Sequence, residues 1–214
     1  MLTYIIFINI MLLIGDIMTH IYFVRHARPD LSIKDNYVRP LTEVGKQDAL
    51  LACERLFDIE FSSIYSSTYF RSYQTIEEVA IRQNKKIIKI EDLKERVYGK
   101  RNIPIEEYFK RQWDDFSYKA EGGESLNDCI KRNLKVINEI LIKNKDSNVL
   151  IGYHGTCLCA LLAYYTNSFS YKDFLRYKPM LPLIIRMDFD GNKFIGYEEI
   201  FMLDRDYENI ELIV

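Results

Sequence analysis

The chain has 214 residues, with 29 Lys and Arg against 31 Asp and Glu and a formal net charge of −2. That balance excludes the broad basic field of a nucleic-acid-binding protein and confines any anion site to a local cluster. Hydrophobic residues at 48% and charged residues at 28% exclude a chain disordered throughout, and the length suits one domain with a sizeable core.

Residues 1–17 contain an almost wholly apolar stretch, Tyr4 to Ile14, interrupted by Asn9. It is too short to span a bilayer and lacks the basic start and small-residue cleavage site of a signal peptide. Two readings stay open: an extension upstream of a true start at Met18, or a hydrophobic anchor. In the first, residues 18–214 form a single domain and a membrane is no partner.

His20 to Asp30 then reads His-Ile-Tyr-Phe-Val-Arg-His-Ala-Arg-Pro-Asp. Residues 21–24 are β-branched or aromatic, which predicts a buried strand. The run ends abruptly in Arg25, His26 and Arg28, and Pro29 stops regular structure. Such groups at the mouth of an apolar strand serve no packing purpose, and in open α/β sheets ligands bind in the crevice outside the carboxyl ends of the strands. Thr42, with Pro40 before it, is an N-cap signal for a helix running to about Phe57. Its apolar face comprises Ala49, Leu50, Ala52, Cys53, Leu56 and Phe57.

Residues 61–67 predict a short strand ending in hydroxyls, and a helix opening at Thr68 runs through Ile81 with Arg71 in its first turn. A cation there opposes the helix dipole. A bound anion supplies one reason for it, since phosphate suits both free N–H groups and an Arg fork. An exposed ion pair with Glu77 or Glu78 supplies another. Residues 86–90 predict a strand, 91–99 a loop turning at Gly99, and 105–113 a short helix. A long helix over residues 126–143 buries Leu126, Ile130, Leu134, Ile137 and Leu141. Residues 148–153 form a second strongly apolar strand, again ending in a histidine, His154, followed by Gly155, where the backbone can approach a ligand closely. A buried helix from Cys157 to about Tyr165 follows, and Asp190-Gly191 between apolar runs predicts a closing hairpin. Cys53, Cys129, Cys157 and Cys159 lack disulfide-framework or zinc-ligand spacing and read as reduced, buried thiols of a cytoplasmic protein.

Six short motifs now stand in order: Arg25-His26-Ala27 after a strand, Leu41-Thr42-x-x-Gly45, Ser66-Ser67-x-x-x-Arg71-x-x-Gln74-Thr75, Leu93-x-Glu95-x-x-x-Gly99, Gly123-Glu124-Ser125 and Tyr153-His154-Gly155. Together they resemble the histidine phosphatase (phosphoglycerate mutase-like) superfamily over roughly residues 19–201. The resemblance implies an α/β fold, a three-layer α/β/α sandwich with a mostly parallel central sheet. It implies His26 as the nucleophile that accepts a phosphoryl group, Arg25 and Arg71 as holders of the phosphoryl oxygens, His154 as a hydrogen-bond donor to the transferring group, and Gly155 beside it. Glu95 matches the acid/base position, the alternative being a solvated carboxylate paired with Lys94 or Arg96. Glu124 and Ser125 organise the start of the long helix. A neutral imidazole can attack phosphorus near neutral pH, and a cationic pocket stabilises a loose phosphoryl-transfer transition state without a metal or cofactor.

Some positions depart from the family pattern. Ala27 replaces the common glycine, Arg28-Pro29-Asp30 follows where an acid and a hydroxyl are usual, Ser32 stands in place of an asparagine, and Thr68 in place of a proline. Arg28 either adds a third positive group or pairs with Asp30. The expected function is a metal-independent phosphomonoesterase acting on a small phosphorylated metabolite through phosphohistidine. The alternatives are mutase-type phosphoryl transfer and a non-catalytic phosphoryl-binding module. Tyr98, Tyr108, Trp113 and Phe116 are expected to form the specificity wall. The oligomeric state is open.

Overall fold

In a computed structural model describing residues 18–204, the apolar run at 21–24 lies inside β1 (Thr19–Arg25), a middle strand of a six-stranded sheet. The readings for residues 1–17 lie outside the described residues. The chain continues through α1 (Glu43–Glu54), β2 (Ser63–Ser67), α2 (Phe70–Arg82), β3 (Ile87–Ile90) and a 3-10 turn over Glu91–Leu93. Then come α3 (Ile105–Asp114), α4 (Leu126–Lys143), β4 (Asn148–Tyr153), α5 (Gly155–Thr166), α6 (Tyr171–Tyr177), β5 (Leu183–Asp190) and β6 (Lys193–Met202). The strand order is β3-β2-β4-β1-β5-β6. The first four are parallel, while β5 pairs antiparallel with β1 and β6 antiparallel with β5.

Alternation along β1 divides the core into two layers. Ile21 and Phe23 face the side covered by α3 to α6, packing with Leu93, Ile137, Leu158 and Leu161. Tyr22 and Val24 face α1 and α2, packing with Cys53, Leu56, Ile76 and Val79. Each fully buried large apolar side chain contributes about 2 kcal/mol, so a slip of one residue in β1 would set both layers against the wrong partners. The three-layer sandwich with a mostly parallel sheet agrees with the sequence reading. The helices after β1 and β4, α1 and α5, cover opposite faces of the sheet. The carboxyl ends of β1 and β4 therefore form a topological switch point, where open α/β sheets hold ligands.

Local sequence sets the helix starts. Thr42 Oγ1 accepts the Gly45 N–H at 3.0 Å, capping α1. A Cβ on Gly45 would lie 2.2 Å from the Arg28 carbonyl oxygen, so glycine lets α1 dock on the loop behind His26. Ser125 and Asp128 form a capping box at α4, and Ser170 and Asp173 form another at α6.

Several expectations need correction. The α-helix of α1 stops at Glu54, and Leu50 is 44% exposed, because the inward stripe runs through Ala49, Ala52 and Cys53, and Leu50 is turned away from it. Leu134 is half-buried, unlike the other expected inward residues of α4. α2 starts at Phe70, because Ser67 Oγ takes the Tyr69 N–H at 3.1 Å and ends the extended segment there. α5 starts two residues early, with His154 as its N-cap. The sequence reading did not anticipate α6. The four cysteines are free and buried.

Candidate active site

His26 follows β1 directly, and its N–H continues the ladder to the Tyr153 carbonyl of β4 at 3.1 Å. Its ring Nδ1 lies 2.8 Å from the Ala27 carbonyl oxygen. A carbonyl only accepts, so Nδ1 carries the proton and Nε2 presents a lone pair. Burial, then the charges of Arg71 and Arg25, push the imidazole well below its usual pKa of 6.5 and keep it neutral. The loop is fixed from α2: Ala27 N–H donates to Thr75 Oγ1 (3.0 Å), Thr75 Oγ1 donates to the Arg71 carbonyl (2.7 Å), and Leu41 N–H donates to Gln74 Oε1 (2.8 Å). The Gln74-Thr75 pair of the sequence motif thus supports the loop that carries His26.

Arg25 is anchored at one end. Its Nη1 donates to the carbonyls of Tyr177, Lys178 and Met180 at 2.7, 3.0 and 3.0 Å, around the carboxyl end of α6. Its Nε is buried without a partner. A Cβ on Gly155 would stand 2.6 Å from that Nε, so the glycine makes room for the guanidinium. Arg71 is 2% exposed, with Nη1 donating to the Asn36 carbonyl at 3.1 Å and its guanidinium 4.7 Å from the Tyr69 ring centroid. It points inward and makes no ion pair with Glu77 or Glu78. Burial lowers its pKa to about 10, partly offset by Glu95, and its Nε also lacks a partner. Arg39 holds Asn36 in place, donating to the carbonyls of Ile33 (2.6 Å) and Lys34 (3.0 Å) and to Asn36 Oδ1 (3.1 Å).

His154 is fully buried, its ring 5.3 Å from that of His26 at an interplanar angle of 63°. Its Nε2 lies 2.7 Å from Ser67 Oγ. The tautomer in which that hydroxyl donates to Nε2 leaves the proton on Nδ1, which has no partner. Burial, then Arg71 and His26, hold this ring too well below its usual pKa.

Glu95 lies at the N-terminus of α5. Its carboxylate accepts the N–H groups of Thr156 (3.0 Å) and Cys157 (3.2 Å), and that of Arg96 at 2.8 Å. Its segment is held from α4. Arg132 makes a two-pronged contact with Glu124 at 2.8 and 3.0 Å and donates to the carbonyls of Asp92 (2.6 Å) and Lys94 (2.9 Å). Glu124 in turn accepts the Val97 N–H at 2.9 Å. On the other flank, Glu91 accepts from Tyr37, Thr68 and Lys94. Burial opposes its ionisation, but these bonds outweigh it and hold the carboxyl at about 2.

Arg25, His26, Arg71, Glu95 and Gly155 line one cavity of about 380 Å³, with His154 packed behind His26. Among the described residues, no three of His, Cys, Asp and Glu converge so as to hold a metal ion. The expected specificity wall is only partly placed there. Tyr98 lines the cavity, whereas Tyr108 is buried with its hydroxyl on the Tyr98 carbonyl (3.1 Å), and Trp113 and Phe116 pack toward Leu126, Ile130 and Ala160. Phe109, Phe174, Arg96 and Lys178 take their places. Sequence reasoning also missed Asn36, Arg39 and Arg132, charged or polar residues that usually belong to a solvated surface. Asp30 accepts from the N–H and hydroxyl of Ser32.

Known proteins resemble this chain in sequence and in fold. Uncharacterized phosphatase PhoE of Bacillus subtilis is 30% identical over 150 residues, covering 68% of this chain and 76% of that protein. Phosphoserine phosphatase 1 of Hydrogenobacter thermophilus is 29% identical over 162 residues, covering 68% of this chain and 77% of that one. The mycobacterial glucosyl-3-phosphoglycerate phosphatase superposes with a TM-score of 0.70 at 18% identity, over 85% of this chain and 97% of that chain, a likeness of fold. The model of the histidine phosphatase superfamily (branch 1) matches residues 21–195, from the first strand past α6, and the chain belongs to that superfamily.

Proposed function

We propose that the protein is a metal-independent phosphomonoesterase that moves the phosphoryl group of a small phosphorylated metabolite first to His26 and then to water. The observation that carries this reading is the set of buried donors without partners, Arg25 Nε, Arg71 Nε and His154 Nδ1, grouped around an imidazole whose Nε2 is left free. Leaving such groups unpaired costs about 1–3 kcal/mol each, and an anion with several acceptor oxygens in the cavity would satisfy the two arginine donors that line it. Two relatives named as phosphatases support hydrolysis over transfer between two positions of one substrate.

In the first step His26 Nε2 attacks phosphorus, the bond from phosphorus to the ester oxygen breaks, and the leaving oxygen takes a proton from Glu95. In the second, Glu95 takes a proton from water, the resulting oxygen attacks phosphorus, and the bond to His26 breaks. Arg25 and Arg71 hold the non-bridging oxygens throughout, and their forks suit this better than an ammonium. A fixed positive environment in a buried site supplies stabilisation without reorganisation.

Hydrolysis of an aryl phosphate in excess EDTA tests this. The wild type is expected to retain its rate, and His26→Ala to lose it by about 10³-fold or more. Loss of activity to EDTA, or its survival in His26→Ala, would overturn the mechanism. With phosphoglycerate as the substrate, isomerised ester in place of free phosphate would establish a mutase instead.

A further inference from the structure

A second cavity of about 380 Å³ is lined by residues 100–103 and 118–121 and by Tyr108, and it shares no lining residue with the catalytic cavity. A backbone clasp brings its two walls together. The Lys100 N–H donates to the Glu121 carbonyl at 2.9 Å, and Gly99 takes a φ of +72° beside it. A Cβ on Gly99 would stand 2.6 Å from that carbonyl oxygen, so glycine is what lets the two segments close.

Three cations, Lys100, Arg101 and Lys119, line this cavity against one acid, Glu121. Lys119 is already paired with Asp128 at 2.9 Å, whereas Lys100 and Arg101 form no ion pair with a described residue. The Arg101 guanidinium lies 5.7 and 5.8 Å from the ring centroids of Tyr98 and Tyr108, and its Nη1 is buried without a partner. A buried donor without an acceptor is costly. A phosphate offers acceptors to an Arg fork and a countercharge to a Lys ammonium at once. The Tyr108 and Tyr118 rings, their centroids 5.8 Å apart, add an aromatic wall.

Tyr108 also ties this cavity to the catalytic one. It is fully buried, its hydroxyl donates to the Tyr98 carbonyl at 3.1 Å, and that hydroxyl accepts from Arg96 Nη1 at 3.2 Å. Arg96 and Tyr98 both line the catalytic cavity. An anion that draws Arg101 toward itself therefore changes the charge facing both tyrosine rings.

We infer that this cavity is a second anion site, that it takes a phosphate group, free or on an ester, between Arg101 and Lys100, and that its occupancy acts on turnover through Tyr108.

Equilibrium dialysis with inorganic phosphate tests the site, independently of the phosphatase reading. The wild type is expected to bind two phosphates per chain, and Arg101→Met and Arg71→Met one each. A single phosphate in the wild type that Arg71→Met abolishes, or two in Arg101→Met, would overturn the site and leave the catalytic pocket standing. Phenylphosphonate, an ester mimic that is not hydrolysed, separates the two sources: tighter binding than phosphate at the site lost in Arg101→Met assigns it to an ester, weaker binding to the free ion. For turnover of an aryl phosphate, added phosphate is expected to change the wild-type kcat about fivefold, the low end of coupling between two sites. In Arg101→Met it should act on KM alone, and Tyr108→Phe should bind two phosphates yet lose the kcat response. A wild-type kcat unmoved by phosphate, or a response that survives in Tyr108→Phe, would overturn the coupling.

Discussion

Gly155 stands where one methyl group would collide with a guanidinium, and the collision cannot be relieved cheaply. A Cβ there would lie 2.6 Å from Arg25 Nε and 2.7 Å from its Cζ, while Nη1 is committed to three carbonyls. Gly155→Ala should therefore shift Arg25 and leave the fold intact. The expected result is a fall in kcat/KM of about 10–100-fold, the cost of misplacing a charged clamp by about 1 Å, with a thermal midpoint close to that of the wild type. A variant within twofold of the wild type would mean that Arg25 is not the clamp. Residues of this kind were legible in the sequence when an apolar strand broke off into charge, as at Arg25, His26 and His154, or when a cation stood against a helix dipole, as at Arg71. Arg96, Arg132 and Lys178 gave no such contrast. Each lies among other charged residues, and only the folded chain shows that Arg96 is buried against Tyr98 and Tyr108.

The segment carrying Glu95 has little regular structure of its own and is held in place by α4 and α5. Arg132 supplies two of those contacts directly, to the carbonyls of Asp92 and Lys94, and two more bonds hold Glu124, which accepts the Val97 N–H. Arg132→Met removes them and leaves Glu124 largely buried without its cation, a change expected to destabilise the protein by about 3 kcal/mol. Denaturant unfolding would read it, and a loss below about 1 kcal/mol would show that the segment is held by other means. The strands and long helices followed from periodicity because their buried stripes are long. The seven residues of α6 bury only Phe174 and Tyr177, too few to display a helical period. The same reasoning placed Trp113 and Phe116 in the cavity by proximity along the chain, whereas they turn toward Leu126 and Ala160.

For the molecule as a whole, two neutral buried histidines make stability depend on pH. His26 and His154 are both held well below 6.5, so on acidification the unfolded chain takes up their protons while the folded one does not. Stability then falls as pH drops below about 6.5, by about 1.4 kcal/mol per pH unit for each histidine. Glu91 and Asp128, held near 2, favour the folded state above the unfolded carboxylate range and lose that contribution only at lower pH. The interval from pH 6.5 to 5 therefore isolates the histidines. Unfolding curves across it should slope for the wild type and flatten for His26→Gln combined with His154→Gln. A flat wild-type profile would show that the rings are protonated in the folded state.

The grip of residues 177 to 180 on Arg25 also sets an order in time. The arginine is made with the first strand, and its anchoring carbonyls come more than 150 residues later, at separations of 152, 153 and 155. At ribosomal speeds of about 5–20 residues per second, the interval is roughly 8–30 s. During synthesis His26 is present from the start, but Arg25 is fixed only when the end of α6 has emerged and packed. A nascent chain stalled ahead of that helix would have four parallel strands and an unanchored Arg25.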